Sequence, residues 1–292
     1  IPHHVIDLHD TFEKNVIQYF VHEYAAGLTP NPCVRCNRQI KFGVLREKAN
    51  NLGAQWIATG HYVRKARVHD RWTVRRAACR AKDQSYVLAV LTQEQLASAL
   101  FPLGDIESKE TARARARDLG LNVAEREESQ ECCFIPNDDY RAFLASRQIP
   151  SRPGPIMSTD GRVLGEHTGL PNYTIGQRRG LGIPAERPLY VIRMDTRANT
   201  LIVGFEEETY CRGLIMGDLN WCGMAPTRDT FASTVQIRYL HKPVQATVSP
   251  EPGSKTARIT FADAQRAVTP GQWAVLYDAD WVVAGGTILG SF

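Results

Sequence analysis

Apolar residues at Phe12, Val16, Tyr19, Phe20 and Tyr24 recur at helical spacing, and the run stops at Gly27. Asp10, followed three residues later by Glu13, gives that helix a capping-box-like start. Ahead of it, residues 4–8 read as a short apolar strand. After it comes a turn-rich stretch, Thr29-Pro30-Asn31-Pro32, and a second helical pattern over about 37–51 that ends at Gly53. Residues 55–59 read as a buried strand ending in Gly60-His61. Further helices are predicted over 84–99 and over 108–119, the latter entered at Ser108 and left at Gly120. Strands separated by helices of this length predict a parallel sheet wound with helices.

The pattern changes near Pro150. From there Gly and Pro punctuate short alternating segments such as PLYVIRMDTRANTLIVGF, STVQIRYLHKPVQATVS and QWAVLYDADWVVAGGTIL, with turn signals such as Asp160-Gly161 between strands. These predict a small β-rich segment to about residue 215 and then a closed antiparallel barrel.

Composition narrows the class. With 292 residues, 43% hydrophobic and 23% charged, the chain is neither disordered, collagenous nor a disulfide-dense miniprotein, and its length suits two or three domains. No uninterrupted apolar run reaches the roughly 18 residues a transmembrane helix needs, and no secretory signal opens the chain. Seven cysteines, an odd number at irregular spacing, do not read as a secreted disulfide framework, so a reducing cytoplasm is expected. The first residue is Ile, within a stretch that reads like the middle of a fold, so a preceding segment is expected. A net charge of +4 does not by itself indicate a nucleic-acid partner; its distribution has to.

Candidate chemistry concentrates in a few places. Asn31-Pro32-Cys33-Val34-Arg35-Cys36-Asn37 places Cys36 at the predicted mouth of a helix, where free backbone N–H groups favour a thiolate. The motif also reads as two small buried residues. With no second CxxC, a zinc ribbon is disfavoured. Cys132-Cys133 form a second thiol cluster, for which a buried structural role is the ordinary reading; Cys79, Cys211 and Cys222 have no helpers nearby. Between residues 61 and 82 eight Lys or Arg stand against the single acid Asp70, interleaved with Tyr62, His69 and Trp72. Such a run is commonly a solvated face, yet it also suits phosphate contacts and base stacking. Arg178-Arg179, in a Gly-rich turn, repeats the theme. Lys82-Asp83-Gln84-Ser85 opens a helix, with Asp83 or Ser85 as a cap. His61 with Gly60 ends a strand, the position where ligands sit in wound α/β sheets.

Together TPNPCVRCNRQIKF, ATGHY, KDQSYVL, FPLG, SQECCFIPNDDY, GLPNYTIGQRRGLGI and RAVTPGQWAVLY, in order over nearly the whole chain, resemble the tRNA-specific 2-thiouridylases. The resemblance implies an α/β plus β protein: an incomplete doubly wound ATP-pyrophosphatase-like domain (residues 1–138), a small β-rich central tRNA-binding domain (139–215) and a C-terminal antiparallel β-barrel (216–292). It implies ATP-dependent replacement of oxygen by sulfur at the 2-position of the tRNA wobble uridine, with Mg2+, and with a sulfur-relay protein or cysteine desulfurase as partner. By position Cys133 matches the persulfide-carrying cysteine and Cys36 the partner nucleophile. Asn31, Pro32 and Cys33 match the target-base segment. Gly60 matches a glycine against ATP, and His61, Lys82, Asp83, Gln84, Arg238, Tyr239 and Gln272 match tRNA contacts.

Two departures from the family pattern stand out. Cys33 replaces an Asp of some relatives, which opens the alternative that Cys33, Cys36 and Cys133 ligate a [4Fe-4S] cluster. The family's Ser-Gly-Gly-x-Asp-Ser pyrophosphate loop does not occur in these 292 residues and is expected upstream of Ile1. The rival reading, from another class, is a non-catalytic tRNA-binding protein without the nucleotide loop; a metal- or cluster-binding redox module leaves the tRNA-type motifs unexplained.

Overall fold

The computed structural model describes residues 2–122, 124–125, 132–149 and 151–292. The first helical run is continuous through His9–Phe12, Glu13–Ile17 and Gln18–Ala25, the middle piece widened to π geometry. It buries Val16, Ile17, Phe20 and Tyr24, the face set by the predicted period. Residues 4–8 form no strand; Val5 is exposed and no neighbouring strand is there to pair with it. The second run is longer than predicted: it starts at Pro32 and proceeds through Pro32–Cys36, Asn37–Val44 and Leu45–Asn51. Asn31 caps it, its side chain accepting from the Val34 N–H at 3.2 Å, and Pro32 occupies the first helical position, where a missing N–H costs nothing. Within the π segment Gly43 breaks the helical angles, and a Cβ there would lie 2.9 Å from the Arg38 carbonyl oxygen.

Four short strands follow: β1 (Ile57–Ala58), β2 (Val63–Val68), β3 (Arg71–Arg76) and β4 (Ala99–Leu100). β1 and β4 pair in parallel, while β2 and β3 form an antiparallel hairpin. The strand predicted over 55–59 is therefore two residues long and mostly exposed, and the helix predicted over 84–99 is two helices, Ser85–Leu88 and Gln93–Ala97. Thr92 separates them by forming a capping box with Gln95. The helix Lys109–Asp118 is entered at Ser108 as predicted.

A four-stranded sheet, β5 (Gly154–Ser158), β6 (Val163–His167), β7 (Tyr190–Asp195) and β8 (Thr200–Gly204), then packs around Ile156, Val191 and Leu201. The last six strands are β9 (Tyr210–Trp221), β10 (Phe231–Gln236), β11 (Val244–Pro250), β12 (Ala257–Arg266), β13 (Trp273–Asp278) and β14 (Trp281–Ser291). The chain of antiparallel pairings 13-10-11-12-9-14 closes through β13 against β14, giving a six-stranded barrel with no free edge in that ring.

The arginine-rich hairpin carries the contact between the first region and the barrel. β3 joins β14 at Arg75 and Trp281, and the Arg76 N–H donates to the Asp280 carbonyl at 2.7 Å. Asp280 accepts from Arg75 at 3.1 and 2.9 Å and from Arg64 at 3.2 Å, with Arg80 at 3.8 Å. Arg76 lies 3.9 Å from the Tyr277 ring and bonds Asp83 and Gln236, while Arg71 donates to the Trp221 and Cys222 carbonyls. Lys65 sits 4.4 Å over the Trp72 ring. Beneath these pairs a single core runs from Val34, Phe42 and Val63 through Tyr86 and Leu88 to the barrel residues Trp273, Tyr277 and Val282. Part of the basic stretch is thus engaged along this seam, where one carboxylate gathers three of its arginines, while Arg67 and Arg80 stay exposed.

Burial pushes the Asp280 carboxyl up, but the Arg75 hydrogen bond and the charges of Arg75, Arg64 and Arg80 outweigh it and hold the group below the usual carboxylate range. Its contribution to stability is therefore full above the unfolded pKa of about 3.9 and is lost as pH falls through the lower folded value. Asp280→Asn is expected to lower unfolding free energy at pH 7 by about 1–2 kcal/mol, read from the urea midpoint. The gap between variant and wild type should narrow below pH 4; a gap that stays constant down to pH 2 would refute the ion-pair account.

Candidate functional site

Four thiols from two segments meet beside the second helical run. Because that helix begins at Pro32, Cys33 occupies its second position and Cys36 its fifth. The four free N–H groups of a helix mouth belong to its first turn, so the advantage predicted for Cys36 falls to Cys33. The Cys33 sulfur reaches solvent while protein surrounds most of it. A hydrogen bond from the Cys132 thiol holds Cys33 down at about 7, against the upward push of burial and with help from the Lys41 charge. Cys132 is correspondingly raised, because it gives its hydrogen to Cys33 and is itself part-buried. Burial pushes Cys36 up to about 11; Lys41 opposes this, and Cys133 and Cys33 add to it. At neutral pH the site therefore holds one thiol that is about half ionised, Cys33, beside two protonated ones. Cys133 is exposed.

The second segment is held from behind by aromatic packing. Phe134 meets Phe12, Phe20 and Phe143 edge-on, with ring centroids 5.8, 5.3 and 5.5 Å away, and Tyr24 stacks on Tyr140. Cys132 packs against this cluster, which includes Ile135 and Leu144. Ser129, Gln130 and Glu131 of the same motif lie outside the described residues. Sequence reasoning passed over Cys132 and Lys41. Lys41 follows Cys33 and Cys36 on one helical run, and that spacing was the available signal.

The target-base segment is fastened to the barrel. The Thr29 N–H donates to the Pro270 carbonyl at 3.0 Å, and Gln272 Nε2 donates to the Thr29 and Pro30 carbonyls at 3.0 and 3.4 Å. Asn31 hydrogen-bonds Tyr86, whose hydroxyl donates to the Trp273 carbonyl at 2.5 Å, and Pro32 is buried. Gln272 is thus brought to Asn31 and Cys33. Arg238 and Tyr239 are exposed, the latter with its ring 6.3 Å from that of Tyr86.

The other predicted positions are turned inward. His61 is 8% exposed, hydrogen-bonds Thr59 at 2.8 Å and packs near Phe42 and Phe101; burial, then the Lys41 charge, push it down to about 4, so it is neutral at physiological pH. Asp83 accepts from the Ala77 N–H and the Ser85 hydroxyl and pairs with Arg76, while the Gln84 Oε1 accepts from the Tyr62 N–H. Those two residues shape the loop that carries Lys82. Gly60 is exposed just past the end of β1, where a Cβ would meet only Leu103 at 3.8 Å. Among the described residues no three His, Cys, Asp or Glu side chains are grouped to hold a metal ion. No helix among them is long and apolar enough to cross a membrane.

Three family models match successive parts of the chain: a tRNA methyl transferase HUP domain over residues 1–137, a tRNA methyl transferase PRC-barrel domain over 141–205 and an aminomethyltransferase beta-barrel domain over 211–288. Among curated proteins, the tRNA-specific 2-thiouridylase MnmA of Trichlorobacter lovleyi is 47% identical across 99% of this chain and 81% of its own length. MnmA 1 of Caldanaerobacter subterraneus subsp. tengcongensis is 48% identical over 99% and 79%, and MnmA of Heliobacterium modesticaldum 46% over 99% and 76%.

The ionisation pattern predicts how the thiols react. Alkylation by iodoacetamide, followed by peptide mass spectrometry, should show Cys33 reacting with a midpoint near pH 7 and Cys36 resisting until about pH 11. Cys132→Ala removes the hydrogen-bond donor and should move the Cys33 midpoint up toward the ordinary thiol value of about 8.5. An unchanged midpoint in that variant would refute the donor role of Cys132.

Proposed function

The chain belongs to the tRNA-specific 2-thiouridylase family, and from that premise we propose that it transfers sulfur to the 2-position of the wobble uridine of tRNA. The observation that carries this reading is the convergence of Cys33, Cys36, Cys132 and Cys133 beside a segment, Asn31 to Cys33, that the barrel holds in place. ATP, when bound, supplies the activation of the uridine 2-oxygen as a leaving group, and Gly60 is the residue of this chain placed against it. Mg2+ is not assigned a residue.

Cys133, exposed and next to the packed Phe134 loop, carries the transferable sulfur as a persulfide delivered by a sulfur-relay protein or a cysteine desulfurase. The terminal sulfur attacks uridine C2 as the activated oxygen departs. A neighbouring thiol then attacks the Cys133 sulfur, forming a disulfide and leaving the second sulfur on the base. Cys36 takes that part, since it lies within electrostatic reach of Cys133. A second reading gives it to Cys33, favoured because Cys33 is the thiol held near 7 and is the better nucleophile at neutral pH. Arg238, Tyr239, Gln272 and Lys82 contact the tRNA, with Asp83, Gln84 and His61 shaping the loops behind them. The protein works in the cytoplasm.

Unmodified tRNA incubated with the protein, ATP and a sulfur donor is expected to gain 2-thiouridine, detected by nucleoside mass spectrometry. Cys133→Ser should abolish it, and Cys36→Ser should reduce turnover at least a hundredfold, about 2.7 kcal/mol in the barrier. Turnover retained in Cys36→Ser but lost in Cys33→Ser would transfer the attacking role to Cys33. Retention in Cys133→Ser would remove the persulfide mechanism, and tRNA binding without any thiolation by the wild type would favour the non-catalytic alternative.

A further inference from the structure

A cavity of about 290 Å3 lies on the other side of the second helical run from the thiols, between that helix and the barrel. Its walls include Asn31, Arg35 and Arg38 from the helix and Asp218, Lys255 and Trp273 from the barrel. Arg35 and Arg38 line this cavity, whereas Cys33 and Cys36 do not. Their backbone is fixed: the Arg38 carbonyl accepts from Gln95 Nε2 at 2.8 Å, and the Asn37 amide donates to the Val87 carbonyl at 3.2 Å. Lys255 is placed equally firmly, its carbonyl accepting from the Leu219 N–H at 3.1 Å.

Several donors at this cavity are left without acceptors. Arg35 uses only its Nε, on the Asn15 carbonyl, and lies over the Tyr19 ring. Among the described residues the half-buried Arg38 guanidinium and the exposed Lys255 ammonium make no hydrogen bond or ion pair. The indole nitrogen of Trp273, although unpartnered, is closed off from the cavity: a Cβ on Gly285 would lie 2.7 Å from it. Arg35 and Arg38 are both half-buried and line the same cavity, where like charges repel unless an anion lies between them. Against three cations stands one acid, Asp218, which is exposed at the rim.

We propose that this cavity is a phosphate-binding site, taking a phosphate group whose oxygens accept from Arg35, Arg38 and Lys255. Planar guanidinium groups and an ammonium suit such an oxyanion better than they suit a carboxylate-free polar ligand. Asn31 lines the cavity on one side and belongs to the target-base segment on the other. A nucleotide seated on that segment would therefore have its own backbone phosphate within reach, so the site deepens the tRNA reading, on which that one source of phosphate rests. Free phosphate or pyrophosphate is the other source of the same chemistry.

The test follows the Trp273 indole signal in 15N–1H spectra of the full chain, assigned with Trp273→Phe, during titration with inorganic pyrophosphate. The signal is expected to shift saturably, with affinity at least tenfold weaker in both Arg38→Gln and Lys255→Gln. In parallel, binding of a tRNA anticodon stem-loop is measured against salt. Loss of one phosphate contact should flatten the slope of log affinity against log salt by about 0.7–0.9 in Arg38→Gln, and Arg228→Gln, on an exposed loop, should leave it unchanged. A flattened slope assigns the cavity to the RNA backbone; an unchanged slope with the pyrophosphate shift intact assigns it to free phosphate. If the stem-loop does not bind at all while pyrophosphate still shifts Trp273, the tRNA reading fails and the phosphate site stands. An indole signal that moves with neither probe, or that titrates with wild-type affinity in both Arg38→Gln and Lys255→Gln, overturns the site.

Discussion

Three hydrogen bonds between the barrel and the backbone of Thr29 and Pro30 set the position of everything that follows them in the chain. The next residues are the cap and first turn of the helix that bears Cys33 and Cys36, so the reach of those thiols depends on barrel docking. Gly271 makes the approach possible: it sits at φ +90°, and a Cβ there would come within 2.8 Å of the Thr29 nitrogen. The Tyr86 hydroxyl, buried and bonded to the Trp273 carbonyl, ties the same two parts one layer deeper. The barrel is a wall of the thiol site as well as a separate folded unit. A shared apolar core, rather than a linker, joins it to the helices.

The charge distribution follows from the same docking. A hairpin dense in arginine would repel itself if left in water, and its cost falls when a carboxylate and several carbonyls are brought to it. Asp280, at the turn between β13 and β14, performs that role for Arg64, Arg75 and Arg80, and the Trp221 and Cys222 carbonyls perform it for Arg71. Cations turned to solvent include Arg67 and Arg80 of the same stretch, Arg178 and Arg179 in the central region and Arg238 on the barrel. A local excess of positive charge therefore marks a seam here as well as a surface.

Much of this architecture was legible in the sequence because it depends on periodicity. The helical spacing of Phe20 and Tyr24, the capped entry at Ser108 and the alternating strands of the second half all appear where local pattern and burial agree. The misreadings share one cause, which is tertiary context. Residues 4–8 are apolar enough for a strand but have nothing to pair with, and residues 55–59 meet only β4. The hairpin β2–β3 was hidden by its arginines, whose acidic partner lies more than two hundred residues away in sequence. The helix start was placed about five residues late, because Asn31-Pro32 reads as a turn as readily as a cap followed by Pro at the first helical position. That shift moved the expected thiolate from Cys33 to Cys36.

The correction has a chemical consequence for how a crowded thiol site can work. Four thiols that all ionised together would repel one another, whereas four protonated ones would be poor nucleophiles at neutral pH. Here the hydrogen of Cys132 is shared with Cys33, so that one sulfur carries the negative charge and its partner is kept protonated by the same bond. Cys36, under burial and facing that charge, stays protonated too. Lys41 lies close enough to favour charge on either Cys33 or Cys36. Any event that removes the charge from Cys33, such as bond formation at its sulfur, lifts one of the terms that keep Cys36 protonated and makes the second thiol easier to ionise. The aromatic cluster behind Phe134 holds Cys132 where its hydrogen reaches Cys33.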